Sequence, residues 1–414
     1  MIEIICTNTN QRRRYPQGTT LQQIAADMGL DQQAIYAAFV NNKLKELDFS
    51  VYNPYTVEFI GFLHPDGKRM YERSLSFVLN KAVGDVLPGK LLKIEHSISK
   101  GYYCEIEGVQ SVSEQQVSDI SRRMREIVEM DLPFTREHIL TEEAVKLFEN
   151  LGYKERSQLF MTRAHLYSSV YWLHGMPDYF YGCLLPSTGY LKVFDIVKYY
   201  DGMLLRVPRS DKSNEVDDIV RQDKLFDVLH EFKRWGRILH FNYMSNINQM
   251  VDRDEIGDMI KIAEALQEKK IAQIADMICS RTPLPQLVLL SGPSSSGKTT
   301  SARRLAVQLS VAGYSPVTLS LDNYFVDREH TPRDANGEYD FEALEALDIP
   351  YLNNDLNNLL AGKEIDVPKF SFLDGKRYFD GEKMKLQPNS IIIAEGIHAL
   401  NPKLLTNDTT LPKS

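Results

Sequence analysis

Four cysteines in 414 residues leave little scope for covalent cross-links. Cys6, Cys104, Cys183 and Cys279 lie far apart and form no Cys-x-x-Cys pair, which argues against a disulfide framework or a zinc knuckle. Such cysteine usage suits a reducing cytoplasm. Long apolar runs are also missing. The longest, around Leu287–Leu290 and Ile391–Ala394, have strand length, far short of the ~18 residues of a membrane span. The start, Met1-Ile-Glu-Ile-Ile-Cys-Thr, has no basic segment ahead of an apolar one, so it does not read as a signal peptide. Positive charge is in deficit, with 48 Lys and Arg against 56 Asp and Glu and a formal net charge of −8. That excludes a chain-wide grip on nucleic acid and leaves only a local basic patch open.

What remains is an ordinary globular composition, 43% hydrophobic and 25% charged. At roughly 100–200 residues per domain the length predicts two to four domains. Four regions emerge along the chain. In 1–62, Met1–Thr7 and Arg13–Pro16 read as a hairpin, with Ala37–Val40 and Val57–Ile60 as further strands. Thr19–Met28 reads as a short helix, capped by Thr20 or Thr19 and stopped by Gly29. The run Arg12-Arg-Arg14 reads as a solvated hairpin tip in preference to an RNA contact. In 63–208, Ser113-Glu-Gln-Gln is a capping box, and Ile120, Met124, Ile127 and Val128 form an apolar stripe behind it. Residues 209–283 read as a helical connector. An acidic linker, Asp211–Asp218, leads into apolar stripes at Leu225–Trp235 and Met259–Ile278 that predict packing faces. The segment Arg281-Thr-Pro-Leu-Pro stops the second helix.

The first two regions resemble the front of threonyl-tRNA synthetases. Tyr15-Pro-Gln-Gly-Thr-Thr-Leu and Ala38-Phe-Val-Asn-Asn-Lys-Leu-Lys-Glu-Leu are similar to a TGS domain, a β-grasp module. From Asp66 to about Pro208 the chain is similar to the α+β editing domain that follows it. The matching pieces are Arg73-Ser-Leu-Ser-Phe-Val-Leu, Ser99-Lys-Gly-Tyr-Tyr-Cys-Glu-Ile, Thr141-Glu-Glu-Ala-Val-Lys-Leu-Phe and Leu185-Pro-Ser-Thr-Gly-Tyr-Leu-Lys. In that family the editing site binds metal through a His-x-x-x-His pair and a later Cys-x-x-x-His pair. Those positions fall here on Arg73 and Phe77, and on Phe180 and Leu184. Arg has no free lone pair, and Phe and Leu have no donor atom. The expectation is a kept scaffold without metal-dependent hydrolysis. His165, His174, His230 and His240 have no usual ligand spacing and read as surface or core histidines. The resemblance implies tRNA or another RNA as a partner.

The chemistry concentrates in 284–414. Leu287–Leu290 is followed by Gly292-Pro293-Ser294-Ser295-Ser296-Gly297-Lys298-Thr299-Thr300 and then by a helical run. A strand, Gly-x-x-x-x-Gly-Lys-Thr and a helix together form a phosphate-binding loop. The glycines let backbone N–H groups curl around phosphate oxygens, and the helix N-terminus adds positive partial charge. Lys298 is expected to reach the β- and γ-phosphates of ATP, with the Thr299 hydroxyl on Mg²⁺. Pro316–Leu321 reads as a second strand ending at Asp322. In a parallel sheet that end shares an edge with the phosphate loop, which makes Asp322 a candidate base for an attacking hydroxyl. The alternative is an Asp that only caps a turn.

From Leu287 to about Leu400 the sequence resembles the uridine kinase and phosphoribulokinase family. The segments are the phosphate loop, Ser320-Leu-Asp322-Asn-Tyr-Phe, Phe341-Glu-Ala-Leu-Glu-Ala-Leu-Asp348, Val367-Pro-Lys-Phe-Ser-Phe and Ile391-Ile-Ile-Ala-Glu395-Gly-Ile-His-Ala-Leu. The resemblance implies an ATP- and Mg²⁺-dependent kinase acting on the 5′-hydroxyl of a nucleoside, uridine or cytidine foremost. Lys298, Asp322 and Glu395 would be catalytic, with Thr299 and Glu395 serving the metal. Asp322, Tyr324, Glu342, Phe370, Phe372 and Arg377 would bind the acceptor. Two departures bear on specificity. Glu342 stands where the family has Asp, with Asp340 close enough to compete. Gly375 stands where uridine kinases have a base-reading His, for which Asp374 or Lys376 could substitute. Lys369, Lys376 and Arg377 keep a phosphorylated sugar acceptor open, and an RNA-binding nucleotide switch is a further alternative. The family continues with more strands and an arginine-rich lid, so the expectation is a longer natural protein. The tail Leu405–Ser414 is polar and patternless. The expected architecture is multidomain α/β: a TGS-like β-grasp unit, an editing-like α+β domain, a helical connector and a parallel-sheet P-loop domain. Oligomeric state is left open.

Overall fold

A computed structural model describes residues 1–212 and 214–405. Beyond Leu405 the expected polar tail lies outside the described residues. The chain divides into two compact units, Met1–Ile256 and a second beginning at Gly257. Their boundary falls inside the 209–283 stretch.

The first unit opens with a mixed sheet. Its strands are β1 (Ile2–Cys6), β2 (Gln11–Tyr15), β3 (Ala37–Val40), β4 (Lys43–Glu46) and β5 (Tyr55–Ile60), in the order β2-β1-β5-β3-β4. β1 and β5 pair in parallel and the other neighbours are antiparallel. Helix α1 (Leu21–Asp27) lies between β2 and β3 in sequence, and Leu21, Ile24 and Ala25 are buried in the core it shares with the sheet. Thr20 caps it through a capping box, and Gly29 follows at φ +75°. The sequence reading missed β4, whose Lys-Leu-Lys-Glu alternation is short and polar.

Helix α2 (Pro65–Val86) then runs behind a four-stranded antiparallel sheet and a three-stranded one. The first contains β6 (Leu92–Ile98) and β7 (Gly101–Ile106). Next come α3 (Glu114–Glu129), β8 (Thr135–Leu140), α4 (Thr141–Asn150), α5 (Lys154–Met161), β9 (Tyr167–Leu173), β10 (Met176–Asp178), β11 (Asp195–Tyr199) and β12 (Gly202–Arg206). The sheet orders are β11-β12-β7-β6 and β8-β9-β10. Ser113 caps α3 with Gln116, and Ile120, Met124 and Ile127 are fully buried against Phe77, Val78 and Val83 of α2 in one core. Helices α6 (Asp223–Ile238) and α7 (Met244–Asp252) end the unit. On α6 only part of the apolar stripe is used. Phe226 stacks on Tyr200, with ring centroids 3.8 Å apart, while Phe232 stays 62% exposed.

In the second unit, α8 (Ile256–Cys279) precedes β13 (Leu287–Leu290), α9 (Lys298–Val311) and β14 (Ser315–Ser320). Then come α10 (Ile349–Leu360), the hairpin β15 (Lys369–Ser371) and β16 (Lys376–Tyr378), and β17 (Ser390–Glu395). The central sheet is parallel, in the order β13-β17-β14. Strand β17 is apolar from Ile391 to Ala394 and buried at every position, as a middle parallel strand requires. The α8 stripe is only half used as a packing face. Ile271, Ala275 and Ile278 pack with Leu305, Leu309 and Ile391, whereas Ile262 and Ile274 are exposed. The reason is phase. Ile271, Ala275 and Ile278 share one face of α8, whereas Ile262, nine residues or about two and a half turns before Ile271, lies on the opposite one.

Candidate active site

Register aligns three strand ends. Leu290 of β13 and Ser320 of β14 both pair with Glu395 of β17, so all three strands stop at one edge of the sheet. The loop from Ser291 to Gly297 leaves that edge and turns into α9, whose first residue is Lys298. Two left-handed residues shape the turn, Ser295 at φ +59° and Gly297 at φ +81°. At Gly292 a Cβ would stand 2.6 Å from Ser296 Oγ and 3.2 Å from Lys298 Cγ, so a larger residue would push the Ser296 hydroxyl aside. Pro293 to Gly297 are exposed, which leaves the N-terminus of α9 open to an anionic ligand. Lys298 Nζ donates to the Pro293 carbonyl at 3.0 Å, folding its stem across the loop. Thr300, next along α9, is exposed.

Glu395 is 5% exposed and follows four buried apolar residues. Among the described residues its side chain has one hydrogen bond, from the Thr299 hydroxyl at 3.0 Å, and no ion pair. A buried carboxylate answered only by a neutral hydroxyl is poorly compensated. A hard divalent cation is the partner whose chemistry suits this oxygen pair, and Mg²⁺ needs few protein ligands when phosphates supply the rest. Asp322 sits in a single 3₁₀ turn, Leu321–Tyr324, directly after β14. Burial raises its pKa above the usual carboxylate value; the charge of Glu395 raises it further and Lys298 opposes both. No hydrogen bond or ion pair engages its side chain among the described residues. The sequence-selected Lys298, Thr299, Asp322 and Glu395 therefore meet at one edge.

The acceptor-side residues divide. Phe325 packs on Phe370 at 5.5 Å and on Phe372 at 5.6 Å, joining the turn after Asp322 to the β15–β16 hairpin. Phe370 is buried and Phe372 is 55% exposed. Glu342 is exposed, and its backbone N–H donates to Asp340 Oδ1 at 2.9 Å. Tyr324 and Arg377 depart from the expected substrate contact. Tyr324 has no exposed surface, and its hydroxyl donates to Asp355 at 3.1 Å. Burial and that carboxylate raise its pKa. Arg377 Nη2 donates to the Phe325 carbonyl at 3.1 Å and to Asp348 at 3.0 Å, with the guanidinium over the Tyr351 ring. Both side chains brace the turn that carries Asp322. Asp348 and Asp355 were not selected from the sequence. Asp348 did carry a signal, as an Asp before Ile-Pro at a helix start, and it caps α10. At Gly375, φ is +69° and a Cβ would stand 2.6 Å from Arg328 Cβ, so Arg328 fills the space beside the hairpin turn.

In the first unit the four expected ligand positions converge. The Arg73 guanidinium donates twice to the Cys183 carbonyl, at 2.9 and 3.1 Å, and lies against Gly182, whose φ is +112°. Phe77 packs on Phe180 with centroids 5.1 Å apart, and Leu184 is buried. His165, His174, His230 and His240 are all exposed.

Residues 287–407 match the model of the phosphoribulokinase / uridine kinase family. That kinase-like stretch holds the phosphate loop, Asp322, the hairpin and Glu395. A solved structure described as a possible uridine kinase from Bacillus stearothermophilus is similar over 33% of this chain and 73% of its own, with 25% identity and a TM-score of 0.29. The N-terminal part is similar to curated threonine–tRNA ligases. The enzyme of Desulforamulus reducens is 30% identical over 183 residues, which is 44% of this chain and 29% of that one. The enzyme of Chloroherpeton thalassium is 32% identical over 139 residues, 33% of this chain and 21% of that one. The chain thus spans less than a third of the length of these relatives. No helix among the described residues is long and apolar enough to cross a membrane.

Proposed function

We propose that the protein is an ATP-dependent kinase that phosphorylates the 5′-hydroxyl of a nucleoside, with uridine and cytidine as the first candidates. One observation carries the reading. Asp322, with no partner of its own, stands at the sheet edge that also bears Glu395 and the phosphate loop. A nucleotide switch needs the loop and the metal carboxylate but has no use for a free base on the acceptor side. Residues 292–300 would cradle the triphosphate, and Lys298 would exchange the Pro293 carbonyl for phosphate oxygens. Thr299 and Glu395 would hold Mg²⁺, which when bound neutralises charge on the phosphates. Asp322 would take the proton of the acceptor hydroxyl. The acceptor's 5′-oxygen would then bond to the γ-phosphorus as the bond to the bridging oxygen breaks and ADP leaves. Glu342 would grip the sugar, and Phe370 and Phe372 would flank the base.

An uncharged acceptor is favoured over a phosphorylated sugar by the ion pairs. Arg377 is bound to Asp348, and Lys369 is bound to Asp380 and Glu382. Of the three cations considered for an acceptor phosphate, only Lys376 stays exposed and unpaired among the described residues. For the N-terminal part we read 1–62 as a TGS-like module and 63–208 as an editing-like scaffold that contacts tRNA or another RNA. The similarity to threonine–tRNA ligases supports that reading.

The test is ADP release by the chain with ATP, Mg²⁺ and a panel of nucleosides, nucleotides and sugar phosphates. Turnover dependent on a nucleoside is expected. Lys298→Ala should lower it by about 100-fold or more while leaving the circular dichroism spectrum unchanged. Equal turnover in a folded Lys298→Ala variant would overturn the assignment.

A further inference from the structure

A cavity of about 570 Å³ opens in the first unit, between β6, α5, α6 and α7. Its size is that of a small-molecule pocket. Apolar side chains of Leu92, Leu159 and Met244 line part of it, and charged groups line the rest. Most of those charges are already matched. Lys93 donates to Glu107 at 2.8 Å, and Lys233 is shared between Glu95 and Glu105. Arg156 is held by Asp178 at 2.8 Å.

Three lining groups are left over. Glu155 is half-buried and has no hydrogen bond or ion pair among the described residues. Arg237 has only Glu105, 3.8 Å away, and that carboxylate is already engaged by Lys233. Ser245 is 1% exposed, and its hydroxyl finds no partner. Buried polar groups are ordinarily hydrogen-bonded, so an orphaned hydroxyl on a cavity wall calls for a ligand or a water. A spare carboxylate on α5 and a spare guanidinium on α6, both lining the cavity, narrow the ligand to one with both charges.

We propose that this cavity binds a small zwitterion of α-amino-acid size. Its ammonium pairs with Glu155, its carboxylate pairs with Arg237, and Ser245 accepts or donates a further hydrogen bond. The apolar wall takes the side chain. Lys93, Lys233 and Arg156 stay in their existing pairs and hold the shape of the site. The proposal is independent of the kinase reading, because every residue it uses lies before Gly257.

Calorimetric titration of the 414-residue chain with each of the common amino acids tests it, with the matching amines and carboxylic acids as probes lacking one charge. At least one amino acid is expected to bind, and removal of either charge from it should weaken binding by at least 10-fold. Glu155→Gln and Arg237→Gln should each weaken the amino acid by a similar factor. Arg237→Gln should leave the weaker binding of the amine unchanged, which a merely structural role for Arg237 would not produce. No heat with any amino acid at millimolar concentration would overturn the proposal. So would equal binding by both folded variants.

Discussion

The base role proposed for Asp322 rests on its environment, and its titration gives the sharpest test. A general base works deprotonated, and burial together with Glu395 raises its pKa above the usual carboxylate value. The acid limb of kcat/KM should therefore fall at a higher pH than a free aspartate would give. Activity should rise with pH through that limb. In Asp322→Asn the limb should vanish, with a loss of about 10²–10⁴-fold in rate. A limb that persists in Asp322→Asn would move the base elsewhere. Tyr324 makes the contrasting case. Tyr324→Phe strands the buried Asp355 carboxylate and should cost about 1–3 kcal/mol in a urea titration. Acceptor KM should not move. A raised KM without lost stability would return Tyr324 to the substrate. The contrast also marks what the sequence can reveal. Lys298, Thr299 and Asp322 are readable because their roles follow from local spacing around one loop and one strand end. Tyr324 and Arg377 are not, because their aims depend on Asp355 and Asp348, which are 31 and 29 residues away in the chain.

Helix starts and buried strands were legible for the same local reason. Ser113-Glu-Gln-Gln predicts a capping box, and both halves form: Gln116 N–H donates to Ser113 Oγ at 3.1 Å, and Ser113 N–H donates to Gln116 Oε1 at 2.9 Å. Ser113→Ala should lower stability by about 1 kcal/mol in chemical denaturation, and Ser113→Asn should restore most of it. Strands β13 and β17 announce themselves as short apolar runs; β17, in the middle of the parallel sheet, is buried throughout, and β13 at its edge is half-buried. The stripe on α8 misleads because its two halves are out of phase. Ile262 lies about half a turn around the helix from Ile271, so it meets solvent while Ile271, Ala275 and Ile278 share the buried face.

The two compact units carry separate hydrophobic cores. Separate cores predict two transitions in scanning calorimetry. ATP with Mg²⁺ should raise only one of them, by the mass-action stabilisation of a bound ligand. In Lys298→Ala that shift should shrink. One merged transition, raised as a whole by nucleotide, would mean the units melt as a single cooperative body. The division was only partly visible in advance. Composition marks Asp211–Asp218 as a linker, yet the boundary falls about 40 residues later, at Ile256, because α6 and α7 pack with the preceding sheets.

The packing around Arg73 bears on what chemistry this place could hold. Arg73, Phe77, Phe180 and Leu184 stand where the resemblance to editing domains puts four metal ligands, and they support one another. Introducing any one ligand there would disturb a filled core while three partners for the metal were still missing. A four-ligand metal centre at this place therefore lies several simultaneous substitutions away, and no single mutation reaches it.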